Sequence, residues 1–227
     1  MRYYNYLHED KIYTEDDRET FESLKTILHS KCNIFLNESN GQKLYRGIRN
    51  PNHLYAIKKV RIDRKPVDNS KDVHRYFDKV LYEMFGWKAR SQSLFCTGNI
   101  LQTGDYGEPY VVVPIGRYNY LHSNVIQDLY LELLKPTGEV LNIINKYNIF
   151  EKIHQHNWFD IFERSNQKKL DIKEKDVVSL VKDICSLYKK NKGIDKAISS
   201  RGEIMLNCKE YLEIENDYFN QNMRELL

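Results

Sequence analysis

Apolar positions in this chain change period several times, and the changes divide it into elements. From Glu15 to Lys31, Phe21, Leu24 and Leu28 recur at helical spacing behind an acidic start, which suits the positive end of a helix dipole. Asn37 to Gln42 is polar and contains Gly41, so it reads as a turn. Lys43 to Ile48 then alternates apolar and polar residues as a strand does, and Leu54 to Val60 predicts a second strand paired with it across Asn50-Pro51-Asn52. Between Asp68 and Phe85 the stripe Val73, Phe77, Val80, Leu81 and Met84 predicts a helix capped by Asn69 or Ser70 and ended by Gly86.

A short strand over Ser93 to Cys96 follows, then a turn or helical segment from Gly98 to Tyr106, then a valine-rich buried strand from Pro109 to Ile115. Two apolar helical patterns occupy Ile126 to Phe162, split at Pro136-Thr137-Gly138. Another spans Lys173 to Lys190, with Val177, Leu180, Val181, Ile184 and Leu187 on one face. After the polar Ser199-Ser200-Arg201-Gly202, Glu203 to Leu206 and Tyr211 to Ile214 predict two closing strands. Strands alternating with single helices give an α+β fold, expected as one domain over 1–227 with a helical insertion around 126–192.

Composition narrows the function classes. With 41% hydrophobic and 12% aromatic residues, the 227-residue chain has enough apolar surface to offset the entropy of ordering. Lys+Arg 35 against Asp+Glu 32 leaves a formal charge of +3, so no global field draws the chain to nucleic acid and any such contact has to be local. Cys32, Cys96, Cys185 and Cys208 lack the close spacing of a zinc knuckle or redox pair and are expected as reduced, buried thiols. His154 and His156 stand two apart, on different faces of a helix, so no metal site is expected there. Met1 to Tyr6 has no apolar signal-peptide core, and no stretch approaches the ~20 apolar residues of a membrane span, so a cytoplasmic protein without a membrane partner is expected.

Three short segments carry candidate chemistry. Leu44-Tyr45-Arg46-Gly47-Ile48 resembles the first motif of the Arg-Ser-Glu class of ADP-ribosyltransferases, a strand arginine followed by backbone that grips nicotinamide. Phe95-Cys96-Thr97-Gly98-Asn99, with Asp105-Tyr106-Gly107 and the strand beyond, is similar to the second motif, and Glu203-Ile204-Met205-Leu206 to the third, where a glutamate opens a strand. The resemblance implies an ADP-ribosyltransferase-like split sheet with peripheral helices, NAD as co-substrate, and Arg46, Thr97 and Glu203 as the catalytic set. Arg46, Gly47, Tyr45, Phe95 and Tyr106 would line the NAD site. Thr97 supplies one hydroxyl where the motif has three, so Ser91 or Ser93 is an alternative source. Glu203 would bond the nicotinamide ribose and stabilise the oxocarbenium ion, with Thr97 orienting it.

The acceptor is read from its neighbours. Arginine-modifying members of the family carry a second glutamate two residues before the catalytic one. Arg201 stands there and would repel a guanidinium, favouring an anionic acceptor. Arg64 in the basic run Arg61 to Lys65, with Tyr118 and Tyr120, could hold phosphates and stack bases, so a nucleic acid is preferred over a protein as the macromolecular acceptor. The chain also resembles small proteins of phages or mobile elements, which suits a toxin, host-takeover or defence role in a host cytoplasm and leaves room for an antitoxin or inhibitor partner. An NAD glycohydrolase, or a non-catalytic nucleic-acid or protein-binding module, are the alternative readings.

Overall fold

The computed structural model describes residues 15–65, 71–149 and 158–223. Helix α1 (Glu15–Lys31) runs into α2 (Asn33–Ser39), and the pair buries Leu24, Leu28, Cys32 and Phe35 at intervals of four, four and three residues. The expected turn at 37–42 therefore begins late. Residues 37 to 39 complete α2, and the chain reverses only where Asn40 and Gly41 take left-handed φ of 53° and 76°.

Six strands follow: β1 (Leu44–Ile48), β2 (Tyr55–Lys59), β3 (Leu94–Thr97), β4 (Glu108–His122), β5 (Lys189–Lys190) and β6 (Glu203–Glu215). All their pairings are antiparallel, in the order β2-β6-β3-β1-β4-β5 with a further β4–β6 pairing that links β6, β3, β1 and β4 in a ring. The helices and this sheet make a mixed α/β architecture consistent with the α+β expectation.

Four expectations are corrected here. The β1–β2 hairpin does not form, because β1 is bordered by β4 along its whole length and by β3 through Tyr45 and Thr97; β2 instead pairs with β6, Tyr55 opposite Ile214. The two closing strands are one, since polar Asn207 to Glu210 still has strand partners on β4 at Tyr118, Asn119 and Ile115. The 109–115 strand continues to His122 through a bulge, where three residues of β4 span two of β6 and Gly116 supplies a φ of 70°. Lys189 and Lys190 form β5 rather than a helix end.

Helices cover the strands in two clusters. One gathers α3 (Lys71–Phe85), α5 (Leu129–Leu134), α6 (Gly138–Lys146) and α8 (Glu174–Cys185) against Leu121 and Met205. On α3 the buried set Val73, Tyr76, Phe77, Val80 and Leu81 follows helical spacing, each side chain contributing about 1.5–3 kcal/mol by burial. The other cluster joins α1 and α2 to the strands, to α9 (Ile194–Ser199) and to α10 (Asn216–Asn222). The short α4 (Ala89–Gln92) and α7 (Arg164–Lys169) complete the α-helices of the described residues, beside 3-10 turns at Ile100–Thr103 and Trp158–Phe162. Among those residues no helix is long and apolar enough to cross a membrane.

Candidate functional site

Glu203 opens β6 immediately after a tight corner. Arg201 adopts a φ of 58°, and a Cβ on Gly202 would come within 3.0 Å of the Ile126 carbonyl and 3.1 Å of the Ser123 carbonyl. The Glu203 amide then donates to the Gln127 carbonyl at 2.8 Å. The corner and that bond fix where the carboxylate begins, and Thr97 is its register partner on β3.

The carboxylate is 13% exposed and faces Arg90, itself 12% exposed, whose Nη1 donates to both oxygens at 3.0 and 3.1 Å. The Tyr188 hydroxyl donates to Oε1 at 3.3 Å. Burial and the nearby charge of Asp128 push Glu203 above its ordinary value, against the pull of Arg90. Burial is the largest influence on Arg90 and lowers its pKa, but the charges of Glu203, Tyr188 and Asp128 with the hydrogen bond to Glu203 together raise it overall.

Arg90 is held in turn by a buried acid. Asp78 accepts from the amides of Arg90 at 2.8 Å and Ser91 at 3.1 Å, covering the first turn of α4, and also accepts from the Ser91 hydroxyl. His74 Nε2 lies 2.9 Å from Ser91 Oγ and 3.3 Å from Asp78 Oδ2. One ring nitrogen faces both partners and the serine proton points at the acid, so this trio lacks the relay order of a nucleophile, a base and its orienter. Burial, the largest influence on Asp78, pushes its pKa up, but hydrogen bonds from His74 and Ser91 with the His74 charge hold it lower overall. A depressed carboxyl stabilises the fold above its unfolded pKa and loses that contribution as pH falls through the folded value. The melting temperature should therefore fall on acidification below about pH 5, and Asp78→Asn should flatten that slope. An unchanged slope in the variant would remove Asp78 from the account.

Phe95 lies between two cations: the Arg64 guanidinium is 4.2 Å from its ring centre and that of Arg90 is 4.6 Å. The Arg64 amide donates to the Ser91 carbonyl at 3.1 Å, which ties the basic loop to α4. Burial first, then the charges of Arg46 and Arg90, lower the Arg64 pKa to about 10. Arg64, Arg90, Phe95 and Glu203 thus gather in one contiguous group.

Compared with protein-family models, curated proteins and solved structures, the chain matches none.

The other anticipated residues divide. Gly47 sits beneath Tyr106, since a Cβ there would meet Tyr106 Cβ at 2.7 Å and the Thr103 carbonyl at 2.5 Å; the Tyr106 hydroxyl reaches Asp128 at 3.4 Å. Tyr45, half-buried, is the register partner of Thr97. The Thr97 hydroxyl does not bond Glu203. It donates to Gln102 Oε1 and, at 3.2 Å, to the Arg201 carbonyl, and accepts from the Asn99 amide at 3.0 Å, so it shapes the turn while Arg90 and Tyr188 hold the carboxylate. Ser91 is engaged by Asp78, and buried Ser93 accepts from Trp87 Nε1 at 3.1 Å.

Tyr118 and Tyr120 do not join Arg64. Tyr118 bonds Glu38 and packs edge-on to Phe35, whereas Tyr120, 4% exposed, has no free ring face for a base. Arg201 is exposed beside Glu203. His154 and His156 lie outside the described residues. The four cysteines are free thiols, three of them buried and Cys208 half-buried.

Arg90, Tyr188, Asp78 and Asp128 were missed by motif reading. Arg90 stands in Arg90-Ser91-Gln92-Ser93, where hydroxyls drew attention; its signal is a basic residue opening a short turn directly before the Phe95 strand. Tyr188 is brought in by packing and leaves no local pattern, whereas Asp128 caps the start of α5, accepting from the Tyr130 and Leu131 amides at 2.8 and 3.1 Å.

Proposed function

We propose that the chain is an NAD-dependent mono-ADP-ribosyltransferase on an ADP-ribosyltransferase-like fold, with Glu203 as the carboxylate that faces the reacting ribose. The observation carrying this reading is the placement of Glu203: largely enclosed, held by Arg90 and Tyr188, with Arg90 in turn packed on the Phe95 ring that Arg64 also covers. In the reaction the bond between ribose C1′ and the nicotinamide nitrogen breaks, and nicotinamide leaves as a neutral molecule with the bonding pair. The cationic sugar is then attacked by an acceptor nucleophile, which bonds C1′ and gives up a proton. A fixed anion beside the developing cation lowers the barrier, since oriented charge in a water-poor site is commonly the largest catalytic contribution.

Arg46 and Gly47 would hold the NAD end, with Tyr106 above Gly47 at the mouth, its ring about half exposed. Exposed Arg201 would meet the acceptor, which keeps an anionic acceptor, a nucleic acid, ahead of an arginine side chain. Chemistry requires the Glu203 carboxylate, and Glu203 titrates above its ordinary value. Activity should accordingly fall as pH drops through a point higher than that of an unperturbed glutamate, about 4.3.

The test is incubation of the protein with cell extract and NAD labelled in the adenylate, followed by nuclease or protease. Label on a macromolecule, released by nuclease, is expected; release by protease alone would transfer the acceptor to protein. Free ADP-ribose as the sole product would mark a glycohydrolase, with water as acceptor.

A further inference from the structure

Helix α4 is fastened from outside. It has four residues, Lys88 at its N-cap makes no side-chain cap, and its first turn carries no acid of its own. A helix this short is marginal by itself. Asp78 reaches across from α3: its Oδ1 accepts from the Arg90 and Ser91 amides at 2.8 and 3.1 Å, and the Ser91 hydroxyl donates to Oδ2. His74 Nε2 lies 3.3 Å from that second oxygen, and Asp78 is only 6% exposed.

Both cations on Phe95 depend on that fastening. Arg90 is one of the two residues whose amides Asp78 binds, and its guanidinium lies 4.6 Å from the Phe95 ring centre and 3.0 Å from Glu203. Arg64, 4.2 Å from the same ring, is tied by its amide to the carbonyl of Ser91, the other residue bound. A neutral acceptor could satisfy two amides, and a buried carboxylate costs desolvation that a neutral group avoids. The charge has a use, since a carboxylate grips N–H groups more tightly and a functional side chain is only as well placed as the groups that support it.

We propose that Asp78 is a positioning residue for Glu203: by fixing the first turn of α4 it sets the Arg90 guanidinium against the Glu203 carboxylate. Its action passes through Arg90. That Glu203 then serves as the acting carboxylate rests on the transferase reading above; the positioning itself does not.

Titration of the Glu203 carboxyl in the full chain tests this without any ligand, followed by carbon NMR with Glu203→Gln to assign the signal. Burial, the largest influence, pushes that pKa up, Arg90 pulls it down, Asp128 pushes it up and Arg64 pulls it down, while Tyr188 donates to the carboxylate. In Asp78→Ala the Arg90 side chain loses its fixed origin, and the titration should move up by about one pH unit or more. Removal of the Asp78 charge alone has the opposite sign, because loss of a nearby anion favours ionisation of the remaining carboxyl. Asp78→Asn separates the two effects: it keeps an oxygen for the two amides, and its titration should stay at or below that of wild type. Asp78→Ser, which leaves room for a water to meet the freed amides, replaces the alanine variant where that one does not fold. An unshifted or lowered titration in the folded truncation overturns the proposal.

Nicotinamide release separates the two ideas. The same truncation should lower kcat by about tenfold or more with KM for NAD within about threefold of wild type, and the acid limb of the rate profile should move up with the titration. A cap with a structural role alone would lower the melting temperature and move neither. Release by wild type with an unshifted titration in the variant would sink the positioning role and spare the transferase. A raised titration without any nicotinamide release from wild type would do the reverse.

Discussion

Glu203→Gln is expected to lower nicotinamide release from NAD by about a thousandfold or more while leaving the Kd for NAD within about threefold of wild type. The carboxylate meets a full positive charge only when the glycosidic bond is breaking, so its loss is felt in the transition state far more than in the bound substrate. An amide keeps the size and one acceptor for Arg90, but it leaves that buried guanidinium without an anion. Some destabilisation is therefore expected, about 1–3 kcal/mol, and thermal melts must show the variant folded at the assay temperature. Wild-type turnover by Glu203→Gln would dispose of Glu203 as the acting carboxylate.

Arg90→Met should have the largest effect on stability. Breaking a buried ion pair from one side costs about 3–5 kcal/mol because the remaining charge stays buried without its partner. For a chain of this length each kcal/mol shifts the melting point by about 2–4 °C. The loss should depend on pH in a defined direction. Without Arg90, burial and Asp128 act on Glu203 with less opposition and its pKa rises further. A carboxyl raised above its unfolded value binds its proton more tightly in the native state. Its favourable contribution is thus complete below the unfolded pKa and lost as pH rises through the folded one. Arg90→Met should then melt closer to wild type in mild acid than at neutral pH, and adding Glu203→Gln should remove that difference. Melting curves of wild type and both variants across pH decide it; equal destabilisation at every pH would show that Glu203 is not the charge left behind.

Local pattern was a good guide wherever an element was decided by its own residues. Helix α1 and the core of α3 follow from apolar spacing, and Gly86, with a φ of 92°, marks the end of α3. Partner choice among strands was not legible in the same way. Residues 54 to 60 read as a hairpin with β1, but β3 and β4 occupy both edges of β1 and the strand pairs with β6 instead. The gap proposed between the closing strands came from polar residues that the ladder with β4 accommodates.

The site shows the same division. Glu203 and Phe95 could be singled out because each stands in a short segment that resembles a family motif, and the structure sets them on β6 and β3. Arg90 and Tyr188 could not, because their contacts with Glu203 bridge 113 and 15 residues, and that of Arg90 depends on Asp78 holding α4. The single hydroxyl of Thr97 had looked like a shortfall in a triad of hydroxyls. In the structure it closes a turn, and the work of holding the carboxylate falls to a guanidinium and a phenol.

The central claim is that the Glu203 site cleaves the nicotinamide–ribose bond of NAD. Nicotinamide release by the purified full chain, measured by chromatography with Glu203→Gln in parallel, tests it most directly. The account predicts steady release by wild type, lost in the variant, with NAD still bound by both. No release by wild type, together with no NAD binding at millimolar concentration, would contradict it.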